Sequence, residues 1–352
     1  MKNIYSNLKI FEHPEKLYSI RKGWVTEPIS IRIKPTNRCN NACFYCGYEV
    51  DNYSPRSMFR RGDEIPWHIL QGVIEDIYDM SVKSVILSGG GEPLIYPHIE
   101  ELIQMILDRN IDLGIITNGL ELKGHIAELL TEAKWIRISC DSAKAPTYSK
   151  IRGVSKESFY DVCRNISSFA KNKPDTCVLG INCVINHMNK SEILRIGYLF
   201  KHLGVDHIKF APCITNNTYS YHKKFRRKVI GDIYLAQQEL NDNSFRIIDA
   251  YTEGFDEVLN RDYDKCRIMQ IIPCIGADSK VYTCHDKAYV PNGVIGDLKK
   301  QTFKDIWFSD KTKKMFENFN PEKECKHHCV YDNRNKLINK YLDMNYEHRN
   351  FI

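Results

Sequence analysis

The chain has 352 residues, 43% hydrophobic and 27% charged, with a net charge of +6. That composition excludes a disordered or collagen-like chain, and the charge is too small on its own to indicate a nucleic-acid partner. No run approaches the roughly 18 consecutive apolar residues of a membrane span. Residues Met1–Gly23 lack the apolar core of a signal peptide, so a cytoplasmic protein with no membrane and no nucleic-acid partner is expected. In that compartment thirteen cysteines point to metal or redox chemistry rather than a disulfide framework.

After a lead-in of residues 1–28, six short β-rich runs follow: Ile29–Lys34, Val85–Leu87, Leu113–Thr117, Trp135–Ser139, Val178–Ile185 and His207–Ala211. Helical patterns separate them. In Pro97–Arg109 the residues Ile99, Leu102, Ile103, Ile106 and Leu107 recur at the helical period, and Glu157–Ala170 places Phe159, Val162, Cys163, Ile166 and Phe169 on one face. Strand–helix alternation at this spacing predicts an α/β fold with a parallel sheet and helical crossovers. Six units fall short of the eight of a closed barrel, so a partial (β/α)6 TIM-like barrel is expected over residues 29–240, with functional groups at the carboxyl ends of the strands. The basic run Tyr221–Lys228 reads as a solvated helix face, with an anionic substrate as the lesser alternative. Beyond residue 240 the rhythm stops, and residues 241–352 form shorter, turn-rich segments.

The cysteines fall into three sets. Cys140, Cys163, Cys177, Cys183 and Cys213 are scattered through apolar stretches and read as core thiols, although Cys140 and Cys213 stand at strand ends. Cys39, Cys43 and Cys46 form a tight C-x3-C-x2-C loop after the first strand. Three thiolates on one loop can hold three corners of an iron–sulfur cube and leave the fourth iron free. The stretch Pro35-Thr-Asn-Arg-Cys39-Asn-Asn-Ala-Cys43-Phe-Tyr-Cys46 resembles the opening loop of the radical S-adenosylmethionine (radical SAM) superfamily. Ser88-Gly-Gly-Gly-Glu92-Pro93 resembles that family's GGE motif, Ser139-Cys140-Asp141-Ser142 its serine–acidic strand end, and Lys150-Ile-Arg152-Gly153 its arginine–glycine pair. Thr117-Asn118-Gly119 and Gly180-Ile181-Asn182 fit the same pattern.

The resemblance implies S-adenosylmethionine (SAM) as cofactor. Cys39, Cys43 and Cys46 would hold a 4Fe–4S cluster, with Tyr45 beside the adenine. Gly90, Gly91 and Glu92 would receive the methionyl ammonium, since a carboxylate beside close-approach glycines suits that group. Ser139 would meet the ribose or methionyl carboxylate, Arg152 would fork onto a carboxylate, and Asn118 and Asn182 would line the same site. A low-potential donor such as flavodoxin or ferredoxin would supply electrons for a 5′-deoxyadenosyl radical that abstracts a substrate hydrogen.

The late set comprises Cys266, Cys274, Cys284, Cys325 and Cys329. The spacing Cys266-x12-Ser279-x4-Cys284 resembles the opening of SPASM and twitch extensions, which carry glycine where this chain has Ser279. Gly293-Val-Ile-Gly296 and Phe303-Lys-Asp-Ile-Trp307 add to that likeness. It implies a small C-terminal α+β iron–sulfur extension over 241–352, with one auxiliary 4Fe–4S cluster on Cys266, Cys284, Cys325 and Cys329. Cys274, in the strand-like Ile271–Ile275, is left out of the ligand set. Zinc is the alternative metal, because Cys and His at these spacings also make tetrahedral sites.

A dehydrogenase acting on a small hydroxylated or aminated substrate (sugar, cyclitol or nucleoside) is the expected activity, since an auxiliary cluster offers a substrate radical an electron acceptor. An epimerase, with Cys213, Cys140 or Cys274 as hydrogen donor, is one alternative. A maturase of a ribosomal peptide is another, disfavoured by a lead-in too short for a leader-binding domain. A non-catalytic metal-binding module is the remaining class, against which the intact cysteine loop argues.

Overall fold

The computed structural model describes residues 4–49, 56–255, 261–348 and 350. All six expected strands form: β1 (Ser30–Ile33), β2 (Ser84–Leu87), β3 (Asp112–Thr117), β4 (Trp135–Ser139), β5 (Val178–Ile185) and β6 (His207–Pro212). They pair in parallel and in sequence order. The crossovers contain helices Trp67–Asp79, Ile99–Asp108, Gly124–Leu130, Glu157–Asn172, Ile193–His202 and Arg226–Leu240. The two helices expected from periodicity thus lie at Ile99–Asp108 and Glu157–Asn172. This is the partial α/β barrel that the strand count implies. No helix among the described residues is long and apolar enough to cross a membrane.

The sheet reaches further than the six units. A seventh strand, β7 (Arg246–Asp249), lies beyond residue 240 and pairs with β6 in parallel. On the opposite edge β8 (Cys274–Ile275) adds in parallel to β1, and β9 (Lys280–Tyr282) and β10 (Val294–Asp297) continue antiparallel. The C-terminal segment therefore shares one ten-stranded sheet with the barrel. The lead-in packs beneath it: Ile10, Leu17 and Ile20 share a core with Ile268, Ile271, Ile272 and Ile338.

Side-chain alternation decides what the barrel encloses. On β4, Ile136 and Ile138 are buried in the core formed with the surrounding helices, whereas Trp135, Arg137 and Ser139 keep partial exposure. The same alternation holds on β1, β2 and β6, where Lys209 and Ala211 are the more accessible residues. Arg137 feels the charge of Arg32 on β1 although two strands lie between them, which puts both on the concave face. Closed barrels of this class fill that face with apolar layers. Here it is polar and partly open. Its floor is built from large rings: a Cβ at Gly114 would come within 2.3 Å of the Trp135 indole, and one at Gly180 within 2.2 Å of the His207 imidazole.

Ser279, where related extensions carry glycine, explains that preference. It turns the chain between β8 and β9 with φ +62°, in the left-handed region, and its amide donates to Gly276 O at 2.9 Å. Its buried hydroxyl has no hydrogen-bond partner among the described residues. Both features cost stability. Ser279→Gly should therefore stabilise the protein by about 1 kcal/mol, read as a higher unfolding midpoint; a lower midpoint would contradict this reading of the turn.

Candidate functional site

The first cysteine loop leaves β1 at the carboxyl end of the sheet and is clamped from both sides. On one side the helix Ala145–Arg152 ends at Gly153, whose φ is +64°. The Arg152 carbonyl accepts from Ala42 N at 2.8 Å, and a Cβ at Gly153 would stand 2.4 Å from Ala42 O. The arginine–glycine pair is thus a docking device: only glycine supplies both the turn and the clearance. On the other side the glycine turn after β2 presses onto residues 36–38. Gly91 N donates to Thr36 O at 3.1 Å and Glu92 N to Arg38 O at 2.8 Å. A Cβ at Gly91 would sit 1.8 Å from Arg38 O, and one at Gly90 would sit 1.9 Å from Asn37 Oδ1. Loop-on-loop contact is thus one reason these two positions are glycine.

Side chains then knit the loop to the strand ends. Arg152 pairs with Asp141 Oδ2 at 2.7 Å and places Nη1 3.6 Å from Cys43 Sγ. Tyr45 donates its hydroxyl to the same Asp141 oxygen at 2.6 Å. The carboxylate that Arg152 meets is therefore the chain's own Asp141, which also accepts from Val184 N at 2.8 Å. Glu92 is buried and accepts three bonds: from Leu94 N at 3.1 Å, Thr117 Oγ1 at 2.6 Å and Asn118 N at 2.7 Å. A carboxylate has about four acceptor positions, so room for one further donor remains. Burial pushes the Glu92 carboxyl up to about 7, against those three donors. Asn118 Nδ2 donates to Asn40 Oδ1 at 2.6 Å, holding the loop from below. Ser139 and Asn182 stand opposite each other in register on β4 and β5. Asp141 and Thr117 hold this site yet were singled out only as parts of motifs; their signal was adjacency to Ser139 and Asn118.

Cys266, Cys284, Cys325 and Cys329 line one narrow pocket together with Arg261, Lys287 and His327. Among the described residues no three His, Cys, Asp or Glu side chains converge tightly enough for a single metal ion. Four thiolates on separate corners of an iron–sulfur cube do not need that convergence. Burial pushes all four thiols up, Cys325 to about 12. Ionisation in such a place requires compensating positive charge, which Arg261 and Lys287 supply in part and a metal cluster would supply fully. The donor set therefore fits a cluster, as do Cys39, Cys43 and Cys46, half-buried on their shared loop.

Cys274 does not line that pocket. It pairs in register with Arg32 and packs with Tyr282 and Tyr289. Of the three thiols considered as hydrogen donors, Cys140 continues the outward alternation of Ile136 and Ile138 and is buried in the helix-side core. Cys213 continues the inward alternation of Lys209 and Ala211, its amide still in the ladder to Ile185 O at 2.9 Å. Burial, aided by Asp141, pushes its thiol up to about 12. One bond ties the two centres together: Tyr289, five residues after Cys284, donates its hydroxyl to Asn37 Oδ1 at 2.6 Å, two residues before Cys39.

Residues 33–197 match the radical SAM superfamily and residues 266–330 match the SPASM iron–sulfur cluster-binding domain. A GTP 3′,8-cyclase of Rhodopirellula baltica is 34% identical over 151 residues, covering 38% of this chain and 41% of that protein. The chain thus spans less than half the length of that relative. One from Aquifex aeolicus is 26% identical over 304 residues, 80% of this chain and 90% of that protein. Among solved structures, Streptococcus suis SuiB bound to precursor peptide SuiA superposes with a TM-score of 0.62 at 18% identity, covering 88% of this chain and 72% of that one. AnSMEcpe with bound AdoMet gives 0.61 at 20% identity, covering 88% of each chain. At these identities the structural likeness speaks for the fold. The two domain matches, in the order in which the structure presents their cysteines, make the chain a radical SAM protein with a C-terminal SPASM-like extension, whose cofactors are SAM and 4Fe–4S clusters.

Proposed function

We propose that this protein is a radical SAM oxidoreductase acting on a small hydroxylated or aminated substrate, a sugar, cyclitol or nucleoside, held in the barrel interior. The observation behind this is that one residue of the concave face, Arg32, feels residues that stand beside both cysteine sets. Arg32, on the concave face, feels Tyr48, two residues after Cys46, and Asp286, two residues after Cys284. The relatives named GTP 3′,8-cyclase favour the nucleoside end of that class.

When bound, SAM and its cluster supply a 5′-deoxyadenosyl radical for hydrogen abstraction, and an auxiliary cluster offers a destination for the electron that oxidation releases. The chain's own residues do the placing. Cys39, Cys43 and Cys46 hold the first cluster, and Glu92 offers its remaining acceptor position to the methionyl ammonium. Ser139, Asn118 and Asn182 supply polar groups around the ribose and carboxylate. Tyr45, fixed by Asp141, flanks the adenine, and Arg152 positions both Asp141 and Cys43. Cys266, Cys284, Cys325 and Cys329 hold the auxiliary cluster. Electrons come from a low-potential donor such as flavodoxin or ferredoxin.

Epimerisation is the second reading, favoured by the inward placement of Cys213 and of Cys274 beside Arg32. Maturation of a ribosomal peptide has only the fold likeness behind it.

Two measurements check these assignments. Glu92→Gln and Arg152→Lys should weaken SAM binding tens-fold or more, in line with the ~2–5 kcal/mol lost when a buried charged hydrogen bond is broken. Iron content should be retained; unchanged SAM affinity in both variants would put the cofactor elsewhere. Turnover in deuterated water should give 5′-deoxyadenosine and a product two hydrogens lighter, with activity surviving Cys213→Ala and Cys274→Ala. A product of unchanged composition carrying one solvent deuterium, together with loss of turnover in one of those variants, would establish epimerisation instead.

A further inference from the structure

The concave face of the barrel collects basic side chains. Arg32 lies on β1 and Lys34 directly after it, Arg137 on β4 and Lys209 on β6. Each occupies an inward position of the alternation. Among the described residues none of these four forms an ion pair with a carboxylate, whereas seventeen such pairs form elsewhere in the molecule. Lys34 instead donates to Tyr48 OH at 2.7 Å and lies 4.7 Å from that ring's centre. Lys209 lies 5.0 Å over the Tyr5 ring, and Arg56 packs 4.3 Å from Tyr48. The buried Nε atoms of Arg32 and Arg137 have no hydrogen-bond partner among the described residues.

The acids facing this group are fewer. Asp286 lies within reach of Arg32, Asp278 beside Cys274 and Glu253 beside Lys209. Burial, with Arg137 next, pushes the Lys209 amine down to about 8. Gathering like charges away from bulk water is unfavourable unless an anion offsets them. Lys34, near β8, already meets the rings of Tyr48 and Tyr289. Arg137 and Lys209 lie across the barrel, three and five strands from β1; Arg137 hydrogen-bonds the Tyr5 side chain and Lys209 lies over its ring, neutral contacts that leave both charges without a bonded anion among the described residues. Guanidinium forks and ammonium groups converging from several strands suit the three acceptor oxygens of a phosphoryl group.

We infer that the barrel interior holds a phosphoryl-binding subsite built by Arg137 and Lys209 with Arg32, so that the substrate is a phosphorylated small molecule. This rests on the reading of the barrel as the substrate chamber, and it adds the group by which the substrate is held. In the basic run Tyr221–Lys228 the side chains of Lys223, Lys224, Arg227 and Lys228 are exposed and take no part, whereas His222 is buried against Cys213 O and Tyr251.

The test uses the reconstituted full-length protein without SAM, titrated calorimetrically with inorganic pyrophosphate and, separately, with acetate. Pyrophosphate should bind saturably. Lys209→Gln and Arg137→Lys should each weaken it about tenfold or more, as expected for hydrogen bonds to charged groups, with iron content unchanged. Lys224→Gln, at an exposed position of the basic run, should leave it unaltered. Absence of saturable binding, affinity unchanged from wild type in both Lys209→Gln and Arg137→Lys, or equal weakening by Lys224→Gln would overturn the subsite. Acetate binding as tightly as pyrophosphate would make the recognised group a carboxylate and would also overturn it. Formation of 5′-deoxyadenosine after SAM and a reductant are added to separate aliquots of the same preparations reports on the radical SAM assignment independently, so failure of one is distinguishable from failure of the other.

Discussion

Burial in this barrel is one-sided where a closed one buries both faces of its strands, and the rest of the structure depends on that difference. Apolar residues of each strand, such as Ile136, Ile138 and Ile208, point outward under the helices, where they build the main core. The inner face is left to Arg32, Arg137, Ser139, Asn182 and Lys209, which retain access to the interior. Stability therefore comes from the helix–sheet interface. The concave face is free to serve chemistry, with partly exposed polar groups fixed on rigid strands.

The two cysteine centres are held to this frame by different means. The first is a loop wedged between two glycine-dependent contacts, Gly153 on Ala42 and Gly91 on Arg38, and braced by the Tyr45–Asp141–Arg152 network. The second lies in a segment whose β8 is hydrogen-bonded to β1 itself. Because β1 leads into the first loop and pairs with β8, a shift in one centre is transmitted through a single strand. The Asn37–Tyr289 bond adds a second path between them.

Much of this was legible in the sequence. Strand–helix periodicity placed β1 to β6 to within a residue or two, because each is a β-rich run bounded by turn residues. The strand-like run around Cys274 was also readable, and β8 (Cys274–Ile275) forms there. Three features were not. β7 is only four residues long and follows a helix, so its local pattern is weak until β6 offers an edge. The pairing of β8 with β1 joins residues more than 240 positions apart, and no local signal encodes that partner. The glycine turn carries a second demand besides the ligand approach it suggests: residues 37 and 38 press against Gly90 and Gly91, a contact that no local signal encodes. Asp141 gained its importance only from the fold, which brings Tyr45 and Arg152 to it across 96 and 11 positions.

The central claim is that two separate cysteine centres each hold an iron–sulfur cube at the edge of one chamber. Iron counting with Mössbauer spectroscopy on anaerobically reconstituted protein tests it most directly. The account predicts about eight irons in the wild-type chain and about four when either Cys39, Cys43 and Cys46 or Cys266, Cys284, Cys325 and Cys329 are replaced by alanine. Replacement of Cys274 should leave the full complement. Zinc in place of the second cluster, or loss of four irons on replacing Cys274 alone, would contradict it.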